Sequence, residues 1–458
     1  MNKSNNENNA MPIAKPMIAF LIPVIFASVL QSLGQVFGII IVGQTLGVNA
    51  LAAISAFFPL LFFLISFAIG IGSGSSILVG QSYGGGNIPK TKEVVGVTLA
   101  FTMIASVVIT IFGSIFTENI LKWMGTPENI LLESVNYARI LFVTLPITFL
   151  YIAYTTFMRG VGDSKTPFYS LVISIMLNIS LLPILMFGWL GLPKFGLNGA
   201  AYAAVLSNFI TFVLLLAYLH KTNHVLKLDQ TILKNFHLKG AILKSLLTLA
   251  IPTSISMVAI AMSEVAVITF VNDYGSNATA AYGIVNQLVS YIQIPAMSIS
   301  IAISVFVAQA IGSGKTSTIQ NITKLGIKLN YLLGGGLILV VYLFSDPILK
   351  VFLTNAETIE IAKSLIVISC WGYVLFGHMQ SLSATMRATG TVLWPTLFTI
   401  ASIWLIEVPT AYFLSHYTEL GIKGIWCAYP VAFIVNLIAQ STYHHFIWKK
   451  KPLKTLLN

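Results

Sequence analysis

Charge is scarce in this chain. Only 9% of its 458 residues are Asp, Glu, Lys or Arg and just 14 are acidic, whereas 56% are apolar and the mean hydropathy is +0.87. A soluble globular domain carries about a quarter charged residues, so this chain cannot cover its own surface in water. Cysteine is nearly absent as well. Cys370 and Cys427 both lie inside apolar runs, with no CxxC and no His at ligand spacing, which excludes a disulfide framework or a zinc site and leaves two small buried apolar side chains. Catalytic signatures are missing: there is no HExxH, no EF-hand loop and no paired constellation for an intramembrane enzyme. Gly312-Ser313-Gly314-Lys315-Thr316 ends like a phosphate loop, but the glycine required five residues before Gly314 is Gln309. The corresponding Gly84-Gly85-Gly86 has no lysine, and both read as tight turns. The small residues from Gly70 to Ser75 fall inside an apolar run, where they let helices approach closely. Residues 1–12 are polar and Asn-rich without a cleavage pattern, which reads as a disordered tail and no signal peptide.

What the chain does have is apolar length. Crossing about 30 Å of hydrocarbon takes roughly twenty residues of helix, and twelve such stretches recur, at 17–41, 53–79, 94–117, 134–157, 168–191, 197–219, 245–271, 279–310, 326–352, 361–385, 396–415 and 422–447. The fold class expected is all-α and integral to the membrane. With the amino terminus inside, 19 of the 25 Lys and Arg fall on the cytoplasmic side, leaving Lys122, Arg139, Lys194, Lys350, Lys363 and Lys423 outside. Both termini are then cytoplasmic. The excess of +11 meets anionic lipid headgroups, and no soluble surface is left for nucleic acid.

The chain is also written twice. Met158-Arg159-Gly160-Val161-Gly162-Asp163-Ser164-Lys165-Thr166-Pro167 and Met386-Arg387-Ala388-Thr389-Gly390-Thr391-Val392-Leu393-Trp394-Pro395 are 228 residues apart. Ala52-Ala53-Ile54 with Ala280-Ala281-Tyr282, and Val79-Gly80-Gln81 with Val307-Ala308-Gln309, keep that step; Pro23 and Pro252 stand 229 apart, Gly199 and Gly424 225 apart. Six spans per copy return each half to its starting side, so the two six-helix bundles share one orientation, related by an axis along the membrane normal, a plan that points to transport. The division expected is a tail at 1–12, a first bundle at 13–219, a polar linker at 220–244, a second bundle at 245–448 and a basic tail at 449–458.

Ionisable residues at membrane depth are costly and usually functional. Glu264, twelve residues past Pro252, is flanked by apolar Val258–Met262 and Val265–Val271, so it should face an interior cleft where a proton or cation can neutralise it. Its mate in the first copy is Gln35, which shares a helical face with Gln31 and Gly38. Glu407 stands two residues before Pro409, whose missing N–H frees the carbonyl of Leu405 and offers oxygen to a cation or proton. Its mate falls beside Asn178. His378 is a weaker candidate, a proton relay or a polar cap. Arg159 and Arg387 close their helices and the turns that follow. For both glutamates the competing reading is a structural hydrogen bond to a neighbouring helix.

These residues resemble a known family. The string from Met158 to Pro167, Gln31-Ser32-Leu33 leading to Val42-Gly43, Leu177-Asn178 and Ile251-Pro252 look like the multidrug and toxic compound extrusion (MATE) family over essentially the whole length. That resemblance implies a V-shaped pair of six-helix bundles whose central cleft alternates between membrane faces, exporting cationic amphipathic compounds in exchange for H⁺ or Na⁺ with no cofactor. Many relatives have Asp-Thr where this chain has Gly38-Ile39, an Asp where Leu182 stands, or a Glu where Ile260 stands. The expectation is therefore that coupling has moved to the second bundle, with Glu264 leading and Glu407 second, and with Gln31, Gln35, Asn178 and His378 as cleft polar contacts. A metabolite or organic-anion exporter and a lipid-linked precursor flippase of the same superfamily are the alternatives; for a flippase, basic residues in mid-span are scarce. The expected partners are small-molecule substrates and the bilayer of the cell (inner) membrane. One chain holds both bundles, so a monomer suffices.

Overall fold

The structure is a computed structural model that describes residues 11–457; the tail expected at 1–12 lies largely outside the described residues. Among the described residues the chain is helical without strands, and its long helices are numbered here in chain order. They are α1 (Met11–Leu46), α2 (Val48–Gly84), α3 (Ile88–Trp123), α4 (Glu128–Gly160), α5 (Lys165–Phe187), α6 (Leu197–Lys221), α7 (Gly240–Asn272), α8 (Ser276–Gly312), α9 (Ile319–Leu343), α10 (Ala356–Ser369 and Gly372–Ala388), α11 (Leu393–Tyr417) and α12 (Ile422–Phe446). Eleven are long and apolar enough to cross a membrane, and α10, bent by 44° at its break, makes twelve. The twelve expected spans are thus present in order. Most helices run past the expected bounds, but two stop well short: α5 ends at Phe187 because Gly188 turns left-handed at φ 74°, and α9 ends at Leu343, just before the short helix Ser345–Phe352 that carries Asp346-Pro347.

The described chain falls into two compact units, 22–251 and 252–456, the second also taking in the described residues up to Leu21. The breaks coincide with Pro23 and Pro252, the prolines that open the two copies. In the unit 22–251, α3 and α4 meet most closely at Gly113, where a Cβ would fall 2.2 Å from the Phe142 ring. Phe142 in turn meets Phe57 edge-on at 5.7 Å. Thr110 Oγ1 donates to the Phe142 carbonyl at 2.7 Å, an interhelical bond that does not depend on an aqueous hydrophobic effect. In the unit 252–456 the core is built by α8, α10 and α12 around Tyr282, Val285, Ile292, Leu365, Ile366, Trp426 and Tyr429.

The repeated string proves to be a stop-and-restart device. Asp163 N donates to the carbonyl of Met158 and Gly162 N to that of Arg159, both at 2.9 Å; Thr391 N to Met386 and Gly390 N to Arg387 repeat the pattern at 3.0 and 2.9 Å. This double closure needs a left-handed residue, supplied by Gly162 (φ 92°) and Gly390 (φ 87°). Asp163 then caps α5 by accepting from the N–H groups of Lys165 and Thr166. The turns at 84–86 and 312–314 close α2 and α8 in the same way, with Asn87 N on Ser82 O and Lys315 N on Ala310 O.

Residues 220–244 do not hang free. Asp229 caps a one-turn helix, Gln230–Lys234, and forms an ion pair with Lys92 of α3, while Lys239 pairs with Glu93. The backbone rests on Gly96, where a Cβ would meet the carbonyl oxygens of Ile232 and Asn235 at 2.7 and 2.8 Å. After α12, buried Trp448 donates from Nε1 to Thr389 Oγ1 at 2.9 Å and Leu456 lies on Gly390, so the basic tail docks on the turn between α10 and α11.

Candidate functional site

Glu264 sits on α7, and its carboxylate is held by α8. Tyr282 donates its hydroxyl to Glu264 Oε2 at 2.9 Å, and Asn286, one turn further on, approaches the same oxygen at 3.4 Å. The rest of Glu264 is exposed at the surface of its unit, whereas Tyr282 is buried. Behind Tyr282 stands Tyr429 of α12, the two hydroxyl oxygens 2.7 Å apart; because Tyr282 gives its proton to the carboxylate, Tyr429 donates to Tyr282. The Tyr282 ring is fixed by stacking on Trp426, one turn before Tyr429, at 5.9 Å and 8°.

Glu407 reaches the same core from α11. The residues Ser402–Glu407 form a π-helical turn, with Val408 N bonded five residues back to the carbonyl of Ile403. The sequence reading expected an α-helix that loses one bond at Pro409; the chain instead widens its register ahead of the proline. Single π turns are common at functional sites because the extra residue displaces a side chain inward. Glu407 is 5% exposed and has no hydrogen bond or ion pair among the described residues. Like Glu264, it belongs to the unit 252–456. One carboxyl group at the surface of this unit and one buried within it thus stand without a basic partner among the described residues, and a proton or a bound cation relieves the charge of the buried one.

The other candidates lie elsewhere. Gln31 and Gln35 are exposed on the part of α1 that belongs to the unit 22–251, without a hydrogen bond among the described residues. Asn178 donates to Ser207 Oγ at 3.4 Å and, beside a Ser174 to Asn208 bond at 3.1 Å, ties α5 to α6. His378 holds its Nδ1 3.0 Å from the Tyr331 hydroxyl and lines a cavity of about 410 Å³ with Ser441, Thr442, His444 and His445. Sequence reasoning missed Tyr282, Asn286, Tyr373 and Tyr429. A signal was present in the repeat: at the 228-residue step Tyr282 and Asn286 replace Ile54 and Phe58, and at the 225-residue step Tyr429 replaces Ala204. The second copy is polar where the first is apolar.

Comparison with known proteins agrees with this two-copy layout. The MatE family profile matches residues 23–184 and 252–413, two segments that start on the paired prolines. The "Probable multidrug resistance protein YoeA" of Bacillus subtilis is 54% identical over 443 residues, 97% of this chain and 96% of that protein. The "FAD transporter" of Shewanella oneidensis is 25% identical over 394 residues, 86% of each chain. Among solved structures, a mutant of the Vibrio cholerae MATE transporter VcmN superposes with a TM-score of 0.90 at 17% identity, covering 97% of this chain and 99% of that one. A doubled, twelve-span helical chain with this profile in both halves is a membrane transporter and not an enzyme, and it belongs to the MatE family of multidrug and toxic compound extrusion transporters.

Proposed function

We propose that this chain is a secondary active antiporter that exports cationic amphipathic compounds in exchange for H⁺ or Na⁺ by alternating access. The observation that carries the reading is Glu264, gripped by Tyr282 at the surface of a unit that buries another acid, Glu407, with no Lys or Arg paired to either among the described residues. A proton or cation that neutralises this pair favours one orientation of the transporter, and a cationic substrate competing for the same charge favours the other. A sodium ion would take its oxygens from Glu264, Asn286 and Tyr282; a proton needs only the carboxylates. The protein works as a monomer in the cell membrane, with both termini cytoplasmic as the basic residues demand.

The test is export of a fluorescent lipophilic cation from energised vesicles, with a proton or a sodium gradient imposed separately, in wild type, Glu264→Gln and Glu407→Gln. Gradient-driven export by wild type that disappears in either variant is the expected result, and the effective gradient names the ion. Export equal to wild type in both variants would show the acids to be structural. A second reading, export of an organic anion or metabolite, draws on the relative named as an FAD transporter. It predicts no cation export by wild type and accumulation of an anion in cells lacking the protein. A flippase would instead reveal itself by envelope damage on loss.

A further inference from the structure

The core of the unit 252–456 holds a second set of buried polar groups, further along the same helices toward their Lys-rich end. On α12, Tyr429, Asn436 and Gln440 follow at i, i+7 and i+11 and share one face. On α10, Gly377, Ser381 and Thr385 form a row at four-residue steps; on α9, Thr323 and Asn330 are seven residues apart. The packing joins them. Thr323 Oγ1 and Thr385 Oγ1 are 2.8 Å apart, Asn330 Nδ2 donates to the Val374 carbonyl at 2.9 Å, and Gln440 Nε2 donates to Asn436 Oδ1 at 3.0 Å. The Asn330 amide fills the space over Gly377 so fully that a Cβ there would lie 1.7 Å from its Oδ1. Every one of these polar side chains is at most 4% exposed.

Two acceptors in this column, Asn330 Oδ1 and Gln440 Oε1, are buried without a partner. Apolar residues of the same volume would pack as well and avoid the cost of desolvated amides, so the column is built for something other than packing. Between it and the acid–tyrosine cluster, on the same face of α12, stands Phe433, its ring 5.1 Å from Tyr373 and 5.7 Å from Phe376.

We propose that this column is the proton exit of the second unit. It would run from Glu264 through Tyr282 and Tyr429, past Phe433, to water held at Gln440, on to water at Asn330, and out along Ser381, Thr385 and Thr323 to the cytoplasmic end of α10. The inference rests on Glu264 as the coupling site and goes beyond it by naming the ion and its path. The carboxyl proton of Glu264 passes to the Tyr282 oxygen as Tyr282 gives its own to Tyr429 and Tyr429 gives its own to the first water. One proton enters and one leaves, and the hydroxyls rotate back. A file of hydroxyls, amides and bridging water passes protons but offers too few oxygens to a travelling sodium ion, which needs about six around it. Phe433 is the dry step that prevents leakage when no substrate moves.

Purified protein in proteoliposomes loaded with a pH dye, under an imposed proton gradient without substrate, tests this. Phe433→Ala should leak protons roughly tenfold faster than wild type, and adding either Gln440→Met or Glu264→Gln should suppress the leak. Gln440→Met alone should slow gradient-driven export while leaving substrate affinity, read by fluorescence titration in detergent, unchanged. Phe433→Thr, which brings a hydroxyl to the dry step, serves if the alanine variant does not fold. No leak from a Phe433 variant that still exports, a leak indifferent to Glu264→Gln, or wild-type export by Gln440→Met would overturn the proposal. Loss of coupling in Glu264→Gln alongside wild-type behaviour of the Gln440 and Phe433 variants removes only the exit route. Intact coupling in Glu264→Gln removes the coupling site itself.

Discussion

At the scale of single residues, Tyr282 is the hinge of the site. It donates to Glu264 and accepts from Tyr429, so Tyr282→Phe removes both bonds, leaving Glu264 with Asn286 alone and the Tyr429 hydroxyl unpartnered in the core. A bond to a charged group is worth about 1.5–3 kcal/mol, and the expected outcome is a gradient-driven export rate lower by roughly tenfold or more, with equilibrium substrate binding little changed; vesicle transport set against a binding titration separates the two. Gly113 carries a structural counterpart. Its Cβ would overlap the Phe142 ring at 2.2 Å, so Gly113→Ala should destabilise by about 1–3 kcal/mol and lower the unfolding temperature of the detergent-purified protein without altering ion dependence. The two glutamates were legible in the sequence because a carboxylate deep in an apolar run has few harmless explanations. Their tyrosine partners were not, because Tyr within such a run looks like core until the packing of α8 against α12 brings two hydroxyls together.

At the scale of elements, turns were readable and their guests were not. The left-handed glycines at 162 and 390 follow from the stop signal in the repeated string, but nothing in the sequence says that residues 220–244 lie on α3 or that Trp448 and Leu456 return to the turn after α10. Such docking is decided by distant shape, here the bare surface at Gly96. The docked linker should respond to acid. Burial of Asp229 works against its charge, but the Lys92 ion pair and the N–H groups of Ile232 and Thr231 outweigh it and hold the carboxyl below the ordinary range. Burial of His224 lowers its affinity for protons, against the pull of Asp163 at 3.9 Å. Both groups bind more protons when undocked, so both favour the docked state at neutral pH. The histidine contribution fades as pH falls below about 6.5 and the aspartate contribution below about 4. Limited proteolysis within 220–244 should therefore accelerate in those two steps on acidification. Asp229→Asn should remove the lower step, and Gly96→Leu should make cleavage fast at every pH; a rate flat in pH would mean that these contacts do not hold the linker.

At the scale of the whole molecule, the twelve spans and the doubling were visible from run lengths and a recurring step of 225–229 residues, since both are imposed by membrane thickness and by the repeat itself. The asymmetry between copies was only half visible. Gln35 against Glu264 showed where charge had been placed, but the structure shows that a carboxylate here works within a built environment, with Tyr282, Asn286 and Tyr429 standing where the first copy has Ile54, Phe58 and Ala204. It follows that moving the charge alone should not move the function. In a Glu264→Gln background, Gln35→Glu places a carboxylate at the equivalent position of the first copy, yet Ile54 offers it no hydroxyl. Gradient-driven export should remain lost, and the added Ile54→Tyr should recover part of it. Full recovery by Gln35→Glu without Ile54→Tyr would mean that position alone determines coupling and that the tyrosines are packing; export by the three variants under matched proton gradients decides between a charge that is sufficient and a charge that must be held.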